Sequence, residues 1–301
     1  MHVVMRTLVV VGALLLSANA ASAQDITAER LSGTLAKARN SGVITLGYRE
    51  ASFPLSYVDA DHHPLGYSLD LCKSIVEAIA RVIDMPQLRT EFVLVTPETR
   101  IPELLSGRID LACGSATETV ERKKQVAFSP TMFVTGTKLM VKRNSGIKSI
   151  ADLKGKTIVA TAGTTNRQAV EALNDKRKLG INLVTAPDHE QSYGMVADGK
   201  ADAFASDEVL LYGLIARHAA QREFIVVGDY LSYDPYGIMF RRDDRQLNEV
   251  VVSTFRELAD SGDLAEIYHK WFIRRTPTGE RLNLPMNTSL QEVLRMLGTT
   301  E

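Results

Sequence analysis

Along residues 68–83, SLDLCKSIVEAIARVI, the apolar positions Leu71, Ile75, Val76, Ile79, Val82 and Ile83 fall at steps of three and four, which predicts a helix with one buried face. On either side the pattern shortens. VITLGYR (43–49), TEFVLV (90–95) and IDLACGS (109–115) are compact apolar, partly β-branched runs, and these predict strands. The alternation resumes with TIVATAG, a helix around NRQAVEALNDKRK, INLVTA, a further helix, ADAFAS, a helix from Asp207 and FIVVG. Helices around LNEVVVSTFRELADSG and DLAEIYHKWF, a polar stretch RTPTGERLNLPMN and one last short helix complete the chain. Strands that alternate with helices predict an α/β fold, with parallel sheets covered by helices on both faces.

An internal echo bears on organisation. LLSGRIDLACGS and MVADGKADAFASD both run from a helical segment through a glycine to an aspartate three residues later and then a short apolar strand, so that Gly107 and Asp110 match Gly199 and Asp202. Two lobes built on similar βα units are the expectation, and in open α/β sheets ligands bind beyond the carboxyl ends of the strands. TGTKLMVKR (135–143) reads as the passage to the second lobe, and SYDPYGIMFRR (232–242) as a strand returning to the first. The expected organisation is a leader over 1–23, the first part of lobe 1 over 24–136, lobe 2 over 137–236, and the rest of lobe 1 with a tail over 237–301.

Composition narrows the class. Arg6, the apolar run TLVVVGALLL and the small residues SANAASA have the form of a secretory leader, with cleavage expected after Ala23, export to the periplasm and no lipid-bearing cysteine at the new terminus. Removing Arg6 with the leader leaves 34 basic against 36 acidic residues, which argues against a general nucleic-acid or membrane-surface binder. Cys72 and Cys113 enter a compartment where disulfides persist, and a bridge between them requires the α-helical and strand-end segments that carry them to touch. Two cysteines make a weak zinc site. His62 and His63 in DADHHPLGY lack the spacing of a defined metal site and read as a solvated turn.

Candidate chemistry gathers at predicted strand ends. Ser115 and Thr117 follow the strand ending at Cys113 and Gly114, with Arg122 beyond them; hydroxyls, free backbone N–H groups and a guanidinium suit a carboxylate. Thr117 or Thr119 is also placed to cap a helix. TAGTTN offers Thr164 and Thr165 at a helix N-terminus, a second anion seat, with capping by Thr165 the simpler alternative. Arg49 ends the first strand and Arg100 opens a helix after another; His189 follows a third and is placed to donate a hydrogen bond to the same anion. Asp207 is the one acidic residue at a mapped strand end, suited to an ammonium and, equally, to an N-cap. Trp271 in YHKWF reads as packing between the C-terminal helix and the first lobe.

The segments GVITLGYREASFPLSY, TRIPELLSGRIDLACGSATETVERKKQVAFS, DLKGKTIVATAGTT, APDHEQS and YHKWF, in this order from about residue 33 to residue 290, resemble the periplasmic type II solute-binding proteins of amino-acid ABC transporters, and among them the members that take glutamate and aspartate. The resemblance implies a two-lobed type II periplasmic binding protein-like fold, two doubly wound sheets joined by a two-segment hinge. It also implies a monomer without cofactor that closes on an acidic amino acid and serves an inner-membrane ABC permease. Carried over residue by residue, Ser115, Thr117, Arg122 and Thr165 hold the α-carboxylate, with backbone from the TAGTT turn. Asp207 takes the α-ammonium, and Arg49, Arg100 and His189 surround the side-chain carboxylate. Two positions depart from the pattern: Pro97 stands where a hydroxyl is common and Tyr48 where histidine is common.

An enzyme of the same fold acting on a small carboxylic acid, dehydratase-like, is the rival class; Glu50, Glu118 and His189 are its candidate acids and bases. A sensory module is a third, expected to be fused to a membrane segment or kinase.

Overall fold

The computed structural model describes residues 31–298, and the leader with its expected cleavage after Ala23 lies outside them. Among the described residues no helix is long and apolar enough to cross a membrane. The chain opens with α1 (Gly33–Ser41), β1 (Val43–Tyr48), β2 (Ala51–Ser52), β3 (Ser56–Val58), β4 (Pro64–Leu65), α2 (Tyr67–Val82) and β5 (Arg89–Leu94). It continues through α3 (Arg100–Leu105), β6 (Leu111–Ala112), α4 (Val120–Lys123) and β7 (Val126–Phe128). Then β8 (Phe133–Thr135) leads out to β9 (Thr137–Lys142), β10 (Thr157–Thr161), α5 (Thr165–Arg177), β11 (Asn182–Ala186), α6 (His189–Ala197), β12 (Ala203–Asp207), α7 (Glu208–Arg217) and β13 (Phe224–Val227). The return runs through β14 (Asp234–Tyr236) and β15 (Met239–Arg241) to α8 (Arg245–Ser261), α9 (Asp263–Tyr268) and α10 (Thr288–Leu297).

These strands build two five-stranded sheets of the same plan, β5-β1-β6-β15-β7 and β11-β10-β12-β9-β13. The sheets are mixed where parallel ones were expected. β15 runs antiparallel to β6 and β7, and β9 antiparallel to β12 and β13, because each is the strand by which the chain enters that sheet from the other one. The segment 232–242, expected as a single strand, is broken at Gly237 into β14 and β15. β14 pairs instead with β8, so both passages between the sheets form one two-stranded antiparallel ribbon.

The sequence echo has a common physical basis. Gly107 and Gly199 both take positive φ, +77° and +74°, where a side chain would be strained. Three residues on, Asp110 accepts the Thr45 N–H at 2.9 Å and returns its own N–H to Thr45 O; Asp202 repeats both bonds with Thr157. Each aspartate therefore fixes the register between the second and third strands of its sheet, β1 with β6 and β10 with β12.

Burial follows the periodicities. Leu71, Ile75 and Ile79 are fully buried in α2, while Val82, at the end of the expected face, is 55% exposed where the helix runs past the core. In the second sheet Leu139, Ile158 and Ala203 face α5, whereas Met140, Val159 and Phe204 face α6 and α7, the two-residue alternation of a sheet covered on both sides. Each large aliphatic side chain so enclosed contributes about 2 kcal/mol.

Two links tie the first lobe to its strand ends. Cys72 in α2 is disulfide-bonded to Cys113, just past β6, across a Cα separation of 6.3 Å, and Ser68 of the same helix donates to Gly114 O at 3.1 Å. Trp271 is buried against Tyr57 and donates its Nε1–H to Asp70 at 2.8 Å, the packing role expected of it. His62 and His63 are exposed in the turn after β3.

The two echo aspartates differ in environment: Asp110 is fully buried and also ion-paired to Lys37 and Arg241, whereas the Asp202 side chain is 40% exposed beside Lys156. Asp110→Ala strands buried partners and is expected to lower the unfolding free energy by about 3–5 kcal/mol, and Asp202→Ala by no more than about 1 kcal/mol, checked by urea denaturation.

Candidate functional site

The carboxyl ends of β1, β6, β10 and β12 converge on the gap between the sheets, and all nine residues singled out from the sequence line one cavity there, together with Pro97, Asn166 and Leu210. A wider depression on the outer face, between α2, α8 and α9, is lined by surface charges already paired with one another, among them Asp70 with Lys270 and Arg274 with Glu266.

From the first lobe, Arg49 projects where β1 ends and is 3% exposed. Gly114 makes room for it: a Cβ on that residue would stand 2.9 Å from Arg49 Cγ. The close approach permitted by this glycine is therefore to the arginine stem. Arg100 is the first residue of α3, 4% exposed, and its Nη1 donates to Ser115 O at 2.9 Å, so the guanidinium is held by the strand end that presents Ser115 and Thr117. Arg122 lies in α4, whose N-cap is Thr119; its Nη1 donates to Thr117 O at 2.8 Å and its Nη2 reaches the second lobe at Gly163 O, 3.3 Å.

From the second lobe come the N-termini of α5 and α6. Thr164, not Thr165, caps α5 by accepting the Arg167 N–H, because the chain is still extended at Thr164 and turns helical at Thr165. Thr165 is thereby free to donate to Asp234 Oδ1 at 3.2 Å, which leaves Thr117 to donate to Thr165 across the gap, also at 3.2 Å. Asp207 ends β12 and sits at the N-cap position of α7, yet its side chain makes no capping bond. Its oxygens accept instead from Asn166 Nδ2 at 3.0 Å and from the Tyr236 hydroxyl.

His189 begins α6 and is 2% exposed. Ser192 gives its proton to Asp188 O, so Thr161 donates to Ser192 and His189 Nδ1–H donates to Thr161 at 2.7 Å. The neutral ring then offers Nε2 only as an acceptor, contrary to the donor role expected of it. Donation to an anion requires a second proton.

Burial sets the charges. It lowers the pKa of Arg49 to about 10, and it lowers that of Arg100 well below the ordinary value, with Arg122 and Arg49 adding repulsion. His189 is held well below its usual range by burial and by Arg49 and Arg100, and is therefore neutral at pH 7. Burial pushes the Asp207 carboxyl up to about 7; Asp234 adds to the shift, and the bonds from Tyr236 and Asn166 oppose it. Among the described residues, Arg49 Nη1 and Arg100 Nε are buried cationic donors with no hydrogen-bond partner, and both belong to this cavity. A buried charged donor without a partner costs several kcal/mol, so the arrangement is suited to an anion placed between them.

Sequence reasoning missed Asn166, Tyr236 and Asp234. Asn166 directly follows the two threonines of TAGTTN, a polar position opening a helix, which was the available signal. Tyr236 and Asp234 enter only through the pairing of β14 with β8, which no local pattern announces. Of the two departures noted, Pro97 lines the cavity, while Tyr48 packs edge-on against Phe92. Glu50 is exposed and Glu118 is ion-paired to Lys123, so of the three candidate acids and bases only His189 reaches the cavity.

The model of bacterial extracellular solute-binding proteins, family 3, matches residues 44–274. The chain is 41% identical over 271 residues to the L-glutamate/L-aspartate-binding protein of Pseudomonas aeruginosa, covering 89% of this chain and 90% of that one. It is 38% identical over 285 residues to the glutamate/aspartate import solute-binding protein of Escherichia coli, covering 95% and 93%. Among solved structures, a mutant of ArgBP from T. maritima superposes with a TM-score of 0.71 at 29% identity, over 80% of this chain and 100% of that one.

The raised pKa of Asp207 has a cost with a defined sign. With a folded value of about 7 against about 3.9 unfolded, the ligand-free protein loses stability as pH rises from about 4 to 7 and recovers none above it. Asp207→Asn, neutral throughout, is expected to unfold at higher urea than the parent at pH 8, by up to about 4 kcal/mol, with the gain shrinking towards pH 4.

Proposed function

The chain belongs to the bacterial extracellular solute-binding proteins, family 3, and from that premise we propose that it binds an acidic amino acid, glutamate or aspartate, between its lobes as the extracytoplasmic component of an ABC importer. The observation that carries the choice of ligand is the pair of unpartnered buried donors on Arg49 and Arg100 facing the same cavity as Asp207. A count of charge agrees. Arg49, Arg100 and Arg122 stand against Asp207 and the adjoining Asp234, which leaves one positive charge, and an acidic amino acid carries one net negative charge. A neutral amino acid leaves that charge uncompensated.

In the proposed pose the α-carboxylate lies against Ser115, Thr117, Arg122 and the α5 N-terminus at Thr164 and Thr165, where backbone N–H groups and the helix dipole favour negative charge. The α-ammonium meets Asp207, and its charge returns that carboxyl to the ionised form. The side-chain carboxylate lies among Arg49, Arg100 and His189, with the two arginines as its charged donors. Chemistry on the ligand is not part of the proposal: of the candidate acids and bases Glu50 is exposed and Glu118 is paired with Lys123, and His189, which reaches the cavity, is assigned to binding.

The lobes, 31–136 with 237–298 and 137–236 among the described residues, close by rotation about the β8–β14 ribbon and present a closed surface to a membrane permease. The protein acts in the periplasm after export, as a monomer.

Calorimetry with glutamate, aspartate, glutamine and arginine tests the ligand class. Glutamate or aspartate is expected to bind at least about 100-fold more tightly than glutamine, since the amide leaves a buried charge unpaired. Arg100→Ala is expected to weaken binding by a similar factor with the fold retained. Equal affinity for glutamine overturns the assignment.

A further inference from the structure

Helix α7 starts at the site with Asp207 and ends, about 15 Å away, at Arg217. Although it belongs to the second lobe, its inner face is committed to the first: Val209 and Leu210 are part of the first lobe's hydrophobic core. Half-way along, Gly213 rests against Phe53, and a Cβ there would stand 2.3 Å from Phe53 O. At the far end the Arg217 guanidinium lies over the Tyr57 ring at 5.0 Å and near the Phe53 ring at 6.0 Å, while Nη2 donates to Val58 O at 3.1 Å. Three contacts from one side chain thus land on the β2–β3 hairpin.

The hairpin is itself braced. The Tyr57 hydroxyl pairs with Thr278 at 2.8 Å, and Thr278 and Thr276 both donate to Glu280, so the tail after α9 backs the ring that Arg217 covers. Within its own lobe, among the described residues, the Arg217 guanidinium pairs with Glu190 at 3.9 Å. It does not line the ligand cavity.

We infer that Arg217 is a latch of the closed state: it grips the β2–β3 hairpin at the edge of the cleft and sets how long a bound ligand is retained, without touching the ligand. The inference rests on the proposed function, because its contacts exist only while the lobes are together. Interactions made in one of two states shift the balance towards that state by their full value. A contact formed after the ligand has entered slows release and leaves the encounter unchanged. Gly213 is the companion requirement, since only a residue without a side chain lets α7 approach the Phe53 carbonyl.

The test is stopped-flow glutamate binding and release, with calorimetry, on the parent chain, Arg217→Ala and Gly213→Ala. Arg217→Ala is expected to raise Kd about tenfold, nearly all of it in the off-rate. Its ligand-free unfolding midpoint stays at the parent value. Gly213→Ala, which blocks docking of α7, also releases faster. If Arg217→Ala releases glutamate at the parent rate, the latch is overturned, whether or not ligand-free stability falls. If the parent chain binds no acidic amino acid, the functional reading fails and takes the latch with it.

Discussion

Two guanidiniums buried without full partners are the constraint around which the site is arranged. Leaving Arg49 Nη1 and Arg100 Nε dry and unpaired is unfavourable, and the surrounding structure is what keeps them from finding partners of their own. Arg100 is anchored through its other nitrogen to Ser115 O, and Arg49 is threaded past Gly114, a position that admits no side chain. The disulfide and the Ser68 bond hold the same strand end to α2. Rigid elements around a frustrated charge are the expected form of a site whose stability is deferred until an anion arrives.

Asp207 repeats this logic with the opposite sign. Instead of capping α7 it faces inward, held by Asn166 and Tyr236, at the cost of a carboxyl that burial makes reluctant to ionise. Tyr236 belongs to the ribbon between the lobes, and Thr165 is bonded to Asp234 of the same strand. Asp207 and Thr165 of the second lobe are thus bonded to the ribbon that joins the two sheets.

Much of this was legible in the sequence. The helix over 67–82 and the strand ends carrying Arg49, Ser115, Thr164 and Asp207 follow from apolar periodicity and from what lies just beyond it. The glycine–aspartate echo signalled two like units before any sheet was visible, because a left-handed turn and a register-fixing carboxylate leave a local mark. What stayed hidden depends on pairing between distant segments. The mixed sheets, the break at Gly237 and the place of Tyr236 follow from β8 meeting β14 about a hundred residues later. The tautomer of His189 depends on a relay through Thr161 and Ser192 that no spacing rule encodes.

Because β8 and β14 lie side by side as a single ribbon, the two crossings cannot flex independently. Antiparallel strands joined by hydrogen bonds flex more readily across their length than they slide past one another, so the ribbon favours bending over shear. Asn287, just ahead of α10, is bonded to Val134 O in the middle of that ribbon. The segment ahead of α10 is therefore tied to the ribbon, and a label attached there would respond to any change in the ribbon's bend.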